Sequence, residues 1–561
     1  MTAFRCLRRV FPYVVLTLAV GAVFFPGITD GHLSGDDVLY TCGCRFVRDG
    51  LTLSNLRTAL TDVCYGAIWM PLTFITYMLD VSLFGGGWTA HHAVSVALHV
   101  ATACLAFAFL RMLSGRFGRG SSSAADVACL LAALVWAIHP MRADAVTWIA
   151  SRKEILWTLF ALLGLMAWIR RLETERFRWT ALTFACFALA CLSKSTAVCF
   201  PLLAAAVGVA LRGRKGLSVR VLAPMFLMSA AVGAVAVYSQ SHPADVVSDD
   251  AYCATPAWRL LNAGVSLGMT VVHVVWPASV HHEYRAVFGG WPVDGFLGLA
   301  VLAAAVLAVA VLLLTCGGTD RKVLGLSVLW FLVGIGPTLG LMRLVNGDQA
   351  YADRYAYLPT LAFSFVVAQV LLKAFETCGR KLALGLALAA LGTEVALAVP
   401  VVRSLQGDFS AYSRSLKHDP EHWRALRVVG NEFCARQGRM DDGVRLLRKS
   451  LRIRPSRQTA DSLAYVLAHR GAPGDFAEVR RLGRAAAADP RRDPGGMMLD
   501  ALGVVSFREG DLERAVRYFT LSLAAPRRDY DARHTRGNLQ RAREALAGRQ
   551  NGIIGNKGQG S

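Results

Sequence analysis

The feature that most constrains this chain is a succession of apolar runs, each near the roughly 20 residues that cross a bilayer as a helix. Eleven can be read: 10–28, 91–111, 124–140, 153–170, 178–192, 195–211, 221–238, 294–315, 323–342, 355–373 and 382–402. Two further stretches, 66–84 and 261–277, are apolar but broken by Pro, Gly or polar residues, which predicts amphipathic or re-entrant pieces at the membrane surface. Only 18% of the 561 residues are charged, 54% are hydrophobic, and the mean hydropathy is +0.42. A soluble domain carries about 25% charged residues, so a wholly soluble chain is excluded, as are disordered and collagen-like ones. The first run follows Arg5, Arg8 and Arg9, a layout shared with signal peptides; with more spans behind it, it reads as a retained helix.

Basic residues in short loops orient such a protein, because they favour the cytoplasmic side. With the N-terminus inside, segments 1–9, 111–120, 170–178, 212–220, 316–322 and 373–381 hold 19 Lys/Arg in 53 residues. The opposite loops, 29–90, 139–153, 193–194, 239–293 and 343–354, hold 11 in 146. Eleven spans then leave the C-terminus outside. Much of the formal net charge of +21 is therefore loop bias rather than a nucleic-acid footprint. Five of the thirteen cysteines, Cys104, Cys129, Cys186, Cys191 and Cys199, lie in apolar runs, as small hydrophobes do. Cys42, Cys44, Cys64 and Cys253 fall between runs, where extracytoplasmic loops would permit a disulfide.

Past residue 403 the pattern changes to helical spacing with frequent arginine. Asp419-Pro420, Arg454-Pro455, Asp489-Pro490 and Ala525-Pro526 recur at intervals of 35, 35 and 36 residues. A tetratricopeptide repeat is about 34 residues of paired helices. Leu502-Gly503, Phe507, Gly510, Leu512, Ala515, Phe519 and Pro526 fit it well; Gly430, Gly438, Met440, Leu447 and Pro455 form another copy, and Ala464, Gly474, Phe476, Ala485 and Pro490 a weaker one. Gly510 would allow the turn between helices, Ala515 their close approach, and Phe519 packing into the neighbouring repeat. The domains expected are thus a membrane domain 1–403 with large loops 29–90 and 239–293, a repeat domain 404–550, and a disordered tail 551–561. The C-terminal part, with 29 Lys/Arg against 18 Asp/Glu, suits acidic peptides or is simply well solvated.

Polar residues cluster at the ends of spans on the outer side. Asp36 and Asp37 follow the first run, and a carboxylate there can take a proton from an acceptor hydroxyl or help hold a cation. His139, Arg142 and Asp144 precede Arg152, Lys153 and Glu154; Lys194 lies in the next turn; Asp353, Arg354, Tyr355 and Tyr357 enter the tenth run. His92 and His99 share one helix face. Each alone is explained by interfacial anchoring. Together, Arg152, Lys194 and Arg354 with several carboxylates are what a site needs to hold a lipid-linked phosphate and activate a hydroxyl, with the oxocarbenium-like transition state of inverting sugar chemistry. Glu394, inside the last run, has no partner legible in the sequence, and a buried acid in lipid is a functional candidate.

The chain resembles the transmembrane O-mannosyltransferase-like family, multispanning glycosyltransferases of the GT-C fold with tetratricopeptide repeats. The resemblance covers about residues 8–545. It rests on Asp36-Asp37, Met70-Pro71-Leu72, His92-(x6)-His99, HPMRADAVTWIASRKE at 139–154, LSKSTA at 192–197, WPASVHHEY at 276–284 and DRYAYLP at 353–359, in order ahead of the repeats. It implies an all-α protein that transfers a sugar from a polyprenyl-phosphate donor to an extracytoplasmic acceptor, a protein hydroxyl or envelope glycan presented by the repeats. It also implies Asp36 or Asp37 as catalytic base, and His92, His139, Asp144, Arg152, Glu154, Lys194, Arg354, Tyr355 and Tyr357 around donor phosphate and sugar. The location implied is a bacterial inner membrane, with membrane lipid as a partner and the repeats outside. No cofactor is implied; a divalent metal is admitted by the paired acids but not supported by a complete ligand set. The chain departs from the family at Lys194-Ser195, often Lys-Glu, at Asp144, often Glu, and at Ser95, often Asn. The loss of an acid at Ser195 motivates an alternative, a non-enzymatic scaffold in which the spans anchor a protein-binding repeat array. A transporter would want inverted internal repeats, which residues 1–403 do not show.

Overall fold

The computed structural model describes residues 2–118, 123–242, 255–285, 293–341, 349–435, 437–490, 493, 495–525 and 533–557. Its chain divides into two compact units, Met1–Arg414 and Ser415–Ser561. Both are helical. Strand structure among the described residues is confined to one antiparallel pairing, Tyr284–Arg285 with Gln349–Tyr351.

Among the described residues of the first unit, eight helices are long and apolar enough to cross a bilayer: Arg9–Gly27, Trp88–Arg116, Ile149–Thr174, Ser195–Gly216, Val219–Ser241, Pro256–Val275, Gly295–Thr315 and Leu361–Ser404. A ninth is formed if Ser123–Ile138 and Pro140–Val146, bent by 54° at His139, make one span. Several of the eleven expected runs take other forms. Run 178–192 becomes the 17-residue helix Phe177–Ser193, and the run at 323–342 starts as a helix at Gly318 with Asp320, Arg321 and Lys322 in its first turns. The last two runs join into one 44-residue stretch, although Gly379, at φ +86°, breaks the helical path between Leu361–Ala374 and Arg380–Ser404. At about 1.5 Å per residue such a stretch far exceeds a bilayer core of about 30 Å. Conversely, 261–277, expected to be a surface piece, belongs to the full-length helix Pro256–Val275.

Lipid replaces water around such helices, so small residues rather than the hydrophobic effect bring backbones together. Pro256–Val275 and Val293–Thr315 meet at Gly268 and Gly298, where a Cβ on Gly268 would fall 1.7 Å from the Gly298 carbonyl oxygen. The outward face of the second helix stays apolar and open, with Leu314 80% exposed. Cys42, Cys44 and Cys64 are unbridged, and Cys253 lies outside the described residues.

The second unit is a series of helical hairpins stacked in sequence: Trp423–Ala435 with Met440–Ile453, Arg457–Arg470 with Asp475–Ala488, and Met497–Arg508 with Leu512–Ala524. Helix Arg533–Lys557 follows; it runs through 551–557 of the expected tail, and 558–561 lie outside the described residues. Gly510 turns the last hairpin at φ +83°. Phe519 is buried and packs against Gly503 of its own hairpin, where a Cβ would meet the ring at 2.6 Å. Gly503→Ala forces that ring out of its place. Overpacking of this kind costs about 1–3 kcal/mol, so a lowered melting temperature of the full chain is expected in a thermal scan, and an unchanged one would show that the ring relocates freely.

Candidate functional site

The loop after the first span is fixed at both ends. Gln406 donates from Nε2 to the Pro26 carbonyl at 2.5 Å, and Asp408 accepts from the Ser34 amide at 2.9 Å and from its hydroxyl. Gly35, at φ +87°, turns the chain into the short helix Asp36–Tyr40. The two acids then part company. Asp37 is buried: its Oδ1 accepts from the Ala150 amide at 2.8 Å and its Oδ2 from the Leu33 amide at 2.9 Å, stitching the loop to the turn before Arg152. Burial pushes its carboxyl up to about 7, against the pull of those two amides. Asp36 is half-buried, and no described residue gives it a hydrogen bond or ion pair.

Around Asp36 the other elements bring cations mounted on aromatic faces. Lys153 Nζ lies 4.9 Å from the Tyr40 ring centre, within electrostatic reach of Asp36, Glu154, Lys194 and Arg354. The Tyr40 hydroxyl is held well above its ordinary pKa, by burial first and by the Asp36 charge next. Lys194 Nζ and the Arg354 guanidinium both sit 4.8 Å from the Tyr355 ring. Lys194 pairs with Glu154, whose other oxygen accepts from Trp157 Nε1 at 3.0 Å. The acid missing at Ser195 is thus supplied from the neighbouring helix.

Arg354 also packs on Trp148, at 4.6 Å, and donates to Asp144 Oδ2 at 2.9 Å. Burial disfavours its charge, but Tyr355 and Asp144 more than offset this, and its pKa is raised. Asp144 takes a second partner on its other oxygen, His282 Nδ1 at 3.0 Å. The segment before Arg354 is clamped: Asp353 is held by His273 Nδ1 at 2.8 Å and by the Tyr284 hydroxyl at 2.5 Å, and Tyr284 stacks on Tyr351 at 4.3 Å across the two-stranded ladder.

Four of the residues expected at the donor are held by other partners. Arg152 is fully buried and answers Asp80 at 2.6 Å, which also binds His91 Nδ1 at 2.6 Å; its other donors reach Ser95, Thr76 and the His91 carbonyl. His92 bonds the Gly31 carbonyl through Nε2 at 2.8 Å. Tyr357 is sealed among Trp136, Arg142 and His99, bonding His99 Nδ1 at 2.5 Å. His139 stands at the 54° bend and faces Glu394 at 3.6 Å, so that acid is not alone in the membrane. Sequence reasoning passed over Lys153, Trp148 and His282. Lys153 was hidden beside Arg152, and His282 stood unassigned inside WPASVHHEY. Among the described residues no group of three or more His, Cys, Asp or Glu is placed to hold a metal.

No family model matches the chain, and no solved structure does. Curated relatives match in part. Protein O-mannosyl-transferase TMTC4 of Homo sapiens is 30% identical over 107 residues, 18% of this chain and 14% of that protein; its Mus musculus counterpart is 30% identical over 105 residues, with the same shares. Protein O-mannosyl-transferase tmtc2 of Xenopus laevis is 31% identical over 139 residues, 24% of this chain and 15% of that protein. The chain thus spans about one seventh of the length of these relatives, and over that part it is similar to proteins named O-mannosyl-transferases.

Proposed function

We propose that the chain is an integral-membrane glycosyltransferase that moves a sugar from a polyprenyl-phosphate donor to a hydroxyl on the extracytoplasmic side, a protein hydroxyl being the acceptor class favoured. The observation that carries this reading is the convergence of Lys153, Lys194 and Arg354 beside the unengaged carboxylate of Asp36. The partial likeness to proteins named O-mannosyl-transferases supports the same class.

In this reading Asp36 is the base. It accepts the acceptor's proton as the hydroxyl oxygen attacks the anomeric carbon, while the glycosidic bond breaks and its electrons leave with the lipid phosphate. The cations stabilise the charge that gathers on that phosphate. Asp37 positions its neighbour rather than reacting, because both its oxygens are committed to backbone amides. The site faces away from the cytosol, as the loop charges suggest, and the stacked hairpins are read as tetratricopeptide repeats that present the acceptor in the periplasm of a bacterial cell.

Purified full-length protein in nanodiscs, given labelled polyprenyl-phosphate sugars and envelope acceptors, should yield a glycosylated product seen by mass spectrometry. Lack of product with every donor, together with an unchanged envelope glycan profile in a deletion strain, would overturn the reading in favour of the membrane-anchored scaffold. Accessibility labelling of single cysteines at positions 36 and 194 tests the shared side of the membrane.

A further inference from the structure

The Asp144 carboxylate is divided between a guanidinium and an imidazole, and the reading above uses only the first. Its Oδ2 receives Arg354 and its Oδ1 receives His282 Nδ1, at 2.9 and 3.0 Å. The His282 ring is held edge-on by Trp148 at 5.1 Å and by Tyr412 at 5.7 Å, so its plane is set from two sides. The same Trp148 carries the Arg354 guanidinium. Nδ1–H donates to the carboxylate, so Nε2 is the free end of the ring and carries a proton only in the imidazolium; no described residue bonds it although the side chain is 8% exposed. This is the arrangement by which a carboxylate fixes the tautomer and orientation of an imidazole that works through its other nitrogen.

We propose that His282 is a phosphate-binding residue of this site: its imidazolium donates through Nε2–H to the phosphate of the lipid donor, beside Arg354. The proposal rests on the glycosyltransferase reading and deepens it by adding a titrating cation to the donor subsite. The groups that face the ring are Asp144 from the turn after His139, Arg354 and Trp148, Tyr412, its neighbour Glu283, and Asp37, on whose carboxyl the His282 charge acts weakly against the dominant effect of burial. Burial pulls the imidazole down, but the hydrogen bond and the charge of Asp144 outweigh it, and its pKa stands above the ordinary value. The sign follows. The cation persists to a higher pH than a free imidazole would, and its contribution to phosphate binding is full in acid and is lost as pH rises through the raised value.

The test is equilibrium binding of labelled undecaprenyl phosphate to the full chain in nanodiscs, with inorganic phosphate and phosphatidylglycerol as competitors. Because the probe itself titrates, the quantity read is the ratio of wild-type to His282→Gln affinity. A charge-assisted bond predicts a ratio of about tenfold or more near pH 6, falling to about one near pH 9. Asp144→Asn, which removes the charge that holds the imidazolium, should move that fall to lower pH; a merely structural histidine would show no such movement. A ratio near one throughout, or one independent of pH, overturns the proposal while leaving the donor reading intact. If wild-type protein prefers undecaprenyl phosphate to neither competitor, the donor reading fails and the proposal falls with it.

Discussion

Asp36→Asn is expected to slow sugar transfer by about two to four orders of magnitude, the usual scale for removing a general base. The substitution keeps size and shape at a side chain that bonds no described neighbour, so the fold has little to lose. Melting temperature and donor affinity should therefore stay near wild type while turnover collapses. Asp37→Asn makes the useful contrast. An amide cannot accept from both Leu33 and Ala150, so the loop must shift. Its losses should appear in stability and activity together. Wild-type turnover in Asp36→Asn, with Asp37→Asn inactive but folded, would exchange the roles assigned to the two acids.

The second large effect separates two adjacent cations. Arg152→Ala leaves Asp80 buried with only His91 to answer it, and removing one partner of a buried ion pair costs about 3–5 kcal/mol. A sharp fall in melting temperature and in the yield of folded protein is expected. Lys153→Met, one residue on, should instead leave the melt nearly unchanged and raise KM for the donor by about tenfold, the loss of one charge-assisted contact. Thermal scans and donor titrations of both variants decide the matter. Equal melts would show that Arg152 is not structural.

These two cations also show where the sequence stops being legible. Successive residues at the start of a helix project about 100° apart, so SRKE announces that a cation enters the site without saying which one. The structure turns Arg152 toward Asp80 and Lys153 toward Tyr40. The clue to the first was present: an acid, Asp80, inside the otherwise apolar run 66–84 requires a partner. The clue to Glu394 was His139, but they lie on separate helices and only the bend at His139 brings them within 3.6 Å. The bounds of the spans are only partly legible for a similar reason. Hydropathy finds apolar length well, and it found the helices from Trp88, Val219 and Gly295, but it is blind to a glycine break or a shared turn. In the repeat unit the period of about 35 residues made the hairpins legible, whereas the packing of Phe519 on Gly503 within its own hairpin was not.

The pairing of Lys194 with a carboxylate one helix away has a bearing on how proteins of this kind are found. A search pattern that demands an acid directly after the lysine would discard this chain, because Ser195 occupies that place. The ammonium nonetheless meets its counter-charge, lent by Glu154. Charge balance is kept across two helix ends rather than within the dipeptide, so the trait to compare among distant sequences is the summed charge of those ends. Exchanging Ser195 for Glu while Glu154 becomes Ser would ask whether the acid's address along the chain matters at all.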